Sequence, residues 1–543
     1  MSDLREYVVT LYDYEDLDLF YQDMETPGGD LYIPDRSVDL ALRRPNSRNT
    51  HYYLTDAEAA SVRADPRVLA CELRPSELGI KVRPMYTQTS SFWNRSSSNT
   101  NTHKNWGLLR CTEGLQRASW GSDATASQTG TVTVNAEARN VDLVVVDGMI
   151  NPAHPEYAVN ADGSGGSRVV QYNWLQHNLG SGTGNYVYTP YVDAGNANRT
   201  SDNNHGAHVA GTCAGNTQGW ARSANIYNIN PYGTDPNALN AELLFDYIRA
   251  FHNNKQINPA TGRRNPTICN NSWGYVYELA ISSITNIYYR GATIGGATPY
   301  SSGTLLNYGI YNTGGYAYPL ARYAAVEADI TDAMNDGIIM VGAASNYYGK
   351  IDVPGGLDYD NFFVYSGSAV YYHRGGAPTS TPNVVSVGAV SSLSSEVKAT
   401  FSMTGPGVDI YAPGQNIISS FNSSGSFGGV SDTRNASYVI GKISGTSMAS
   451  PQVTGVLACV LETYPGMRQA DVRSYLTAIA KTGQVGDTAG SYSDFTSLQS
   501  GPNRYLYYRE ERSSTGSVWP KINSLTRPSA GRVWPRPRVR STR

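Results

Sequence analysis

The chain contains the octet SGTSMASP at residues 444–451, which runs directly into an apolar stretch at 452–461. Apolar residues in that stretch recur at the spacing of one helix face, which predicts a buried helix; they are Val453, Val456, Leu457, Val460 and Leu461. Ser447 would then lie where a loop enters this helix, with its hydroxyl exposed and its own N–H among the unpaired donors of the first turn. These are the properties of a nucleophile whose attack creates an oxyanion beside it.

Length and composition indicate a globular chain of more than one unit. Its 543 residues suffice for one large domain with accessories, and 40% of them are hydrophobic. No run of 18 apolar residues occurs, so we expect no membrane-spanning helix. Residues 1–6 lack both the basic and the apolar region of a secretory signal, which predicts synthesis in the cytoplasm. The final location stays unassigned.

Cysteine and tyrosine usage give further expectations. The five cysteines are an odd number without a CxxC pair, so a disulfide framework is not expected. Many of the 40 tyrosines cluster at about 275–375, in segments that we interpret as loops. They would either form a recognition surface or simply cover exposed loops.

From residue 141 onward, apolar strands alternate with helical patterns, which predicts a mostly parallel sheet with helices on both faces. The predicted strands are 141–146, 225–229, 267–271, 338–344 and 384–390, and the predicted helices are 206–214, 239–254, 319–336, 448–463 and 468–481. Sites in such sheets form where strands end. The residues that follow strand ends here are polar: Asp147, Asn271-Ser272 and Ser345-Asn346.

Two further motifs supply an acid and an imidazole. Asp147 ends an almost continuously apolar strand, where a carboxylate needs a partner such as a histidine. His205 lies in DNNHGAHVAGT at 202–212, and the small residues after it would let a helix begin close to the sheet. Alternatively, His205 and His208 at i, i+3 could ligate a metal together with Asp202.

The three motifs, in the order Asp147, His205, Ser447, resemble those of the subtilisin-like serine proteases. The resemblance implies that Asp147 orients the imidazole, His205 is the general base and Ser447 is the nucleophile. His208 would be structural. The strand leading to Asn346 also resembles the one that carries the family's oxyanion asparagine, so the Asn346 amide and the Ser447 N–H would hold the oxyanion.

The sequence departs from the family pattern at four positions. Gly148-Met149 follows the aspartate where Ser or Thr and then Gly are usual, which removes a side-chain hydrogen bond to the carboxylate. Ala207 replaces a usual Thr, and Ser345 precedes Asn346 where Gly is usual. The connection between His208 and Ile226 is too short for the long calcium-binding loop of some members. We therefore assign no metal site and no cofactor, and leave calcium binding elsewhere open.

Substrate contacts follow from the same resemblance. NSWG at 271–274 resembles the segment that pairs with an extended substrate and forms one wall of its first pocket. Ser272, Trp273, Gly274, Ala344 and Ser345 are thus the predicted substrate-binding residues. Trp273 could instead be a packed aromatic.

The N-terminal part reads as a small α+β unit. Residues 6–74 give the order β-α-β-α-β, with Thr55 and Glu58 at capping-box spacing before the second helix. This order resembles the family's propeptide, an inhibitor and folding chaperone, although a small adapter domain is the alternative. The expected domains are a propeptide-like domain at 1–78, a linker at 79–104, a subtilisin-like three-layer α/β/α peptidase domain at 105–484 and a tail at 485–543.

The C-terminal tail is basic. Residues 501–543 hold ten Lys or Arg and two Glu, a net charge of +8, whereas the rest of the chain carries −11. Such a tail could bind nucleic acid or an acidic protein surface, or be a solvated terminus. With the retained propeptide-like unit, it also suggests, by analogy, association with a virus particle.

The resemblance implies a serine endopeptidase that acts on proteins or peptides through an acyl-enzyme on Ser447. It would be made as a precursor inhibited by its own N-terminal domain. The competing hypothesis is a structural or binding protein that kept the protease fold without full activity, which the four departures from the family pattern suggest.

Overall fold

The structure is a computed structural model. It describes residues 4–44, 46–84, 105–114, 132, 136–174, 204–232, 241–295, 298–393, 395–422, 429–487 and 496–508. Most of the predicted linker and most of the basic tail therefore lie outside the described residues. Within these ranges, no helix combines the length and the apolar character that crossing a membrane would require. The five cysteines all lie in described segments, where they are buried and form no disulfide with one another.

The N-terminal unit is a three-stranded antiparallel sheet covered by helices, and its strand order is β2-β1-β3. The predicted capping box is confirmed, because the Glu58 N–H donates to the Thr55 hydroxyl and the Thr55 N–H donates to the Glu58 carboxylate. One short helix was not predicted from the sequence. The elements are β1 Arg5–Leu11, α1 Leu17–Glu25, α2 Val38–Ala41, β2 Asn49–Leu54, α3 Asp56–Arg63 and β3 Val68–Leu73.

The larger part of the described chain is built on a nine-stranded sheet of order β23-β24-β19-β18-β15-β8-β5-β7-β6, parallel except for β23. The helices are α4 Trp106–Glu113, α5 His205–Ala214, α6 Leu244–Asn254, α7 Ser302–Asn307, α8 Ala324–Asp336, α9 Thr446–Thr463 and α10 Gln469–Ile479. The strands are β4 Ile80–Pro84, β5 Asp142–Val146, β6 Val169–Val170, β7 Asn225–Ile229, β8 Thr267–Asn271, β9 Trp273–Tyr277, β10 Leu279–Ala280, β11 Ile284–Tyr289, β12 Ala292–Ile294, β13 Asn312–Thr313, β14 Tyr316–Ala317, β15 Ile339–Ala343, β16 Phe362–Tyr365, β17 Ser368–Tyr371, β18 Val385–Val390, β19 Ile410–Pro413, β20 Ile417–Phe421, β21 Val430–Asp432, β22 Asn435–Ile443, β23 Lys481–Thr482 and β24 Arg504–Tyr505.

Helices cover both faces of this sheet, as the alternation of strands and helices predicts. Along β5, Leu143 and Val145 pack in the core that contains α5 and α9, whereas Val144 and Val146 pack in the core that contains α6 and α8. A strand buried on both faces is largely apolar, which explains the unbroken apolar run at residues 143–146 of β5. The three-layer α/β/α architecture is therefore confirmed.

The tyrosine-rich segments are only partly loops. Several of their tyrosines lie in short strands, whereas others, such as Tyr347 and Tyr348, lie between elements. Strands within 279–294, 312–317 and 362–371 form two small antiparallel sheets, β10-β14-β13 and β12-β11-β16-β17, with a core of their own. Tyr288 stacks on Phe362 across the second sheet, at 4.3 Å between ring centroids. Aromatic residues favour such half-buried strands, so the abundance of tyrosine here has a structural explanation.

The N-terminal sheet packs on α6 and α8 through a buried cation. The Arg44 guanidinium is fully buried and donates to Asp246 on α6 at 2.8 Å and to Asp329 on α8 at 2.6 Å. Asn49 on β2 also donates to Asp329, at 2.8 Å. Glu72 accepts from the Ala324 N–H at the start of α8. A buried ion pair is costly to break from one side only, so these contacts tie the two parts firmly together.

Two short strands fall in segments that we assigned otherwise. β4 lies within the predicted linker and pairs with β9, and β24 lies within the predicted tail but pairs with β19 and β23 of the large sheet. A two-residue strand such as β24 shows no period-2 pattern, so the sequence carries no signal for it.

Candidate active site

Asp147 and His205 are in direct contact at the edge of the parallel sheet. Asp147 follows the end of β5, His205 is the first residue of α5, and both side chains are buried. His205 Nδ1 lies 2.7 Å from Asp147 Oδ1. Gly206 permits this approach, because a Cβ at that position would lie 1.9 Å from the Gly148 carbonyl oxygen. The imidazole is thus oriented by the carboxylate.

The Asp147 carboxylate has support that the sequence analysis did not find. Its Oδ1 accepts from the Gly148 N–H at 2.7 Å and from the Tyr232 hydroxyl at 3.4 Å. The backbone N–H and the phenol thus contribute to holding the carboxylate. One sequence feature could have indicated Tyr232: it lies three residues beyond the end of β7, the parallel strand next to β5, and so near the sheet edge that carries Asp147.

Ser447 is the second residue of α9, which packs against α5. Its hydroxyl donates to the Ser272 carbonyl at 3.1 Å, and the Ser272 hydroxyl donates to the Ser447 carbonyl at 3.0 Å. Pro451 explains the second bond: it has no N–H, so the Ser447 carbonyl has no partner four residues on in its own helix. Ser272 therefore fixes the start of the helix that carries the serine.

Asn346 is held by its oxygen, which leaves its nitrogen available. Its side-chain oxygen accepts from the Thr446 N–H and from the Thr446 hydroxyl, both at 2.9 Å. Its amide nitrogen is buried and has no hydrogen-bond partner among the described residues. Because Thr446 is the first residue of α9 and precedes Ser447, the amide is fixed relative to the serine. No pattern in the sequence indicated this role of Thr446.

Three of the five predicted substrate-binding residues line one pocket. It opens to solvent, and its walls are Gly274, Tyr275, Leu320, Ala343, Ala344, Ser345, Gly376, Ala377, Thr379 and Ser380. Trp273 is not among them: it is fully buried and packs edge-on against Tyr275, which agrees with the alternative of a packed aromatic. Ser272 contacts the serine helix instead of the pocket.

Ser345 has a backbone conformation that explains why Gly is usual at its position. Its φ is +96°, in the left-handed region that glycine adopts at low cost and other residues rarely do. Its side chain is buried, and its hydroxyl has no partner within the described ranges. This departure from the family pattern therefore costs stability.

β9 already pairs with an extended strand of the same chain. β4 lies antiparallel to it, with Ile80 opposite Tyr277 and Pro84 opposite Trp273. The pairing ends one residue from Ser272, which contacts the Ser447 hydroxyl. β4 therefore lies along the strand at which the sequence predicts that an extended substrate pairs.

The alternative metal site at His205 and His208 has no support in the described residues. His208 Nε2 lies 2.9 Å from the Ile417 carbonyl oxygen, and His205 Nδ1 is engaged by Asp147. Asp202 lies outside the described residues. Where the structure describes the chain, no three His, Cys, Asp or Glu side chains are grouped so that they could hold a metal ion.

These features are the ones expected of a site of the serine-nucleophile class: a carboxylate-bound imidazole and a serine at the starts of two packed helices, with an amide held by the residue before the serine. Residues 138–496 match the family model described as "Subtilase family". The chain belongs to this family.

Two curated relatives and one solved structure illustrate the similarity. An alkaline proteinase of Hapsidospora chrysogena is 28% identical over 61% of this chain and 58% of its own length. An extracellular serine proteinase of Thermus sp. (strain Rt41A) is 26% identical over 72% of this chain and 66% of its own length. The chain thus spans less than two thirds of either relative. Fervidolysin from Fervidobacterium pennivorans, described as a keratinolytic enzyme related to subtilisin, is 17% identical over 92% of this chain and 60% of that chain, with a TM-score of 0.49.

Proposed function

We propose that the chain is a serine endopeptidase whose catalytic residues are Asp147, His205 and Ser447. The observation that carries the proposal is the 2.7 Å contact between His205 Nδ1 and Asp147 Oδ1, on a helix packed against the one that carries Ser447. A carboxylate in this position holds the imidazole so that Nε2 is the atom left for proton transfer, and it stabilises the imidazolium that forms.

In the proposed reaction, the Ser447 hydroxyl turns from the Ser272 carbonyl to His205 Nε2 and gives up its proton as its oxygen attacks the scissile carbonyl carbon. The tetrahedral oxyanion accepts hydrogen bonds from the Asn346 amide and the Ser447 N–H. The imidazolium then protonates the leaving amine, and the C–N bond breaks to give the acyl-enzyme. Water, deprotonated by His205, releases the second product and restores the serine.

The N-terminal domain would inhibit this site within the same molecule. β4 pairs with β9 along the edge that a substrate would use, and the buried Arg44 anchors the domain to α6 and α8. Inhibition by backbone pairing competes directly with substrate, because both need the same N–H and C=O groups of β9. Activation would then require a cut between this domain and residue 105. The basic tail, as a separate element, would capture an acidic partner.

Two measurements on the full chain test the proposal. A fluorophosphonate probe should label the self-processed protein at Ser447, and Ser447→Ala should abolish labelling. N-terminal sequencing of the protein incubated alone should reveal a new N-terminus that the folded Ser447→Ala variant does not produce. If the processed, folded wild type neither reacts with the probe nor hydrolyses casein, the protein is instead a binding protein with a protease fold.

A further inference from the structure

The Arg168 side chain is buried at the opposite end of the helix that begins with His205. It lies directly before β6 and is 8% exposed. Its guanidinium donates to oxygen atoms of neighbouring segments: Nε to Ala158 O at 3.1 Å, Nη1 to Ala221 O at 3.4 Å and Ala224 O at 3.3 Å, and Nη2 to Ala214 O at 2.6 Å, Glu156 O at 3.0 Å and Asn216 Oδ1 at 3.4 Å.

All these acceptors are neutral. Five are backbone carbonyls and one is a side-chain amide, and among the described residues no carboxylate forms an ion pair with Arg168. Neutral carbonyl and amide oxygens of this kind are among the ligands that a hard metal ion such as calcium takes in proteins. Here the five N–H donors of one guanidinium bind these oxygens. Burial lowers the pKa of Arg168 to about 10, which still leaves it charged at neutral pH.

The oxygens come from three segments that need a common anchor. Glu156 and Ala158 lie in the loop after the Asp147 strand, Ala214 ends α5, and Ala224 precedes β7. The carbonyls of a last helical turn lack partners within the helix, and a cation there also interacts favourably with the helix dipole. The guanidinium therefore fixes the end of α5 and the connection that leads back to the sheet.

A second guanidinium balances the charge beside this shell. The buried Glu156 carboxylate accepts from the N–H groups of Thr217 at 2.9 Å and Gln218 at 3.2 Å, and it pairs with Arg434. Arg434 also pairs with Asp432, at 2.6 Å. With Arg168 included, two guanidinium groups face two carboxylates. Removal of the Arg168 charge would leave the group net negative, which favours uptake of a cation.

The chain fills another set of backbone carbonyls in the same way. Lys398 is 1% exposed, and its ammonium donates to Ala399 O at 3.0 Å and to Ser402 O at 2.7 Å. A buried side-chain cation that donates to backbone carbonyls thus occurs at a second place in the described chain.

We propose that the six oxygens around Arg168 form a structural cation site whose occupant is the chain's own guanidinium. The connection from Ala214 to Ala224 is thereby held without a metal ion, and a chain that lacks this side chain would take up a small cation, either Ca²⁺ or a free guanidinium ion, in its place. The proposal concerns folding and does not depend on proteolytic activity.

The test is thermal unfolding of the full chain carrying Ser447→Ala, so that self-cleavage does not interfere. In EDTA, Arg168→Ala should lower Tm by several degrees, because six oxygens lose their donors. Calcium chloride or millimolar methylguanidinium chloride should raise the Tm of this variant in a saturable manner, beyond any rise in the parent. The matched control is Arg222→Ala, in the same connection but 40% exposed and paired with Glu137, which should respond as the parent does.

The proposal is overturned if Arg168→Ala responds to both cations only as the parent does, or if its Tm equals that of the parent. Should Arg168→Ala fail to fold in every ion, Arg168→Lys and Arg168→Met decide. If Arg168→Lys folds and Arg168→Met does not, the site requires a positive charge, as proposed. If both variants fold, or both fail to fold, the proposal is overturned.

Discussion

Asn346 accepts two hydrogen bonds from Thr446, one from its N–H and one from its hydroxyl, both at 2.9 Å. Thr446 is the residue before Ser447, so the amide that would bind the oxyanion is attached to the first turn of the nucleophile's own helix. The start of α9 therefore positions both the Asn346 amide and the Ser447 hydroxyl.

Asn346→Ala should lower kcat by roughly 10²–10³-fold with little change in KM, since the donor is needed for the charge of the transition state and not for the bound substrate. Steady-state kinetics on a peptide substrate measures both constants, and an unchanged Tm would exclude a folding defect. A loss of kcat below tenfold would remove Asn346 from the proposed oxyanion site.

Arg44→Met should weaken retention of the N-terminal domain after processing by at least about 100-fold in Kd, because removal of one partner of a buried ion pair typically costs about 3–5 kcal/mol. Asp246 and Asp329 would remain buried near each other without their cation. Co-elution of the N-terminal fragment with the processed enzyme measures the effect. Arg43→Met is the matched control: Arg43 is 39% exposed and pairs only within its own unit, so it should elute as the parent does. Equal elution of the two variants would contradict the prediction.

Ser345→Gly should raise the free energy of unfolding by about 1 kcal/mol, because glycine accepts the φ of +96° without strain and removes an unpaired buried hydroxyl. Ser345→Ala removes the hydroxyl but keeps the strain, so it should gain less. Denaturant unfolding in the Ser447→Ala background compares the three proteins. A glycine variant less stable than its parent would mean that the serine makes a contact that offsets the strain.

Stability should fall as the pH drops from about 6.5, the ordinary histidine pKa. Burial lowers the pKa of His208 to about 3 and the pKa of each of His51, His252 and His373 to about 4. The folded state therefore favours neutral imidazoles, so their contribution is complete above pH 6.5 and is lost progressively toward pH 3. His208→Gln, which can still donate to Ile417 O, should flatten the pH dependence of Tm; an unchanged slope would argue against the role of His208.

Peptides with an uncharged residue before the scissile bond should be cleaved far better than those with Lys, Arg, Asp or Glu there. The pocket beside Asn346 has no charged residue among its walls, so a charged side chain would lose its hydration without gaining a partner. A set of peptides that differ only at this position gives the ratio of kcat/KM values. Preferred cleavage after a charged residue would show that another surface selects the substrate.

Features with a strong periodic or motif signal were predictable from the sequence. β5, β7 and β8 appear within one residue of their expected bounds. β5 has the clearest signal, because its apolar residues 143–146 are continuous, fully buried and followed by Asp147. The capping box at Thr55 is visible because it depends on two residues three apart.

Other features depend on contacts between distant residues and leave no local pattern. Tyr232 supports Asp147 across 85 positions of sequence, and Arg44 reaches Asp329 across 285. The pairing of β4 with β9 was missed for the same reason. The strands of the tyrosine-rich sheets are only two to six residues long. They are too short to show a clear alternation of apolar and polar residues, so the sequence did not predict them.

Because Arg44 is buried between α6 and α8, cutting of the backbone and release of the N-terminal domain would be two separate events. A cut after β4 changes neither the salt bridges of Arg44 nor the pairing of β4 with β9. The cut molecule would therefore remain inhibited. The onset of substrate cleavage would be set by the rate at which the cleaved N-terminal domain dissociates or is itself digested. The protein would therefore have a delay between its own processing and the cleavage of substrates.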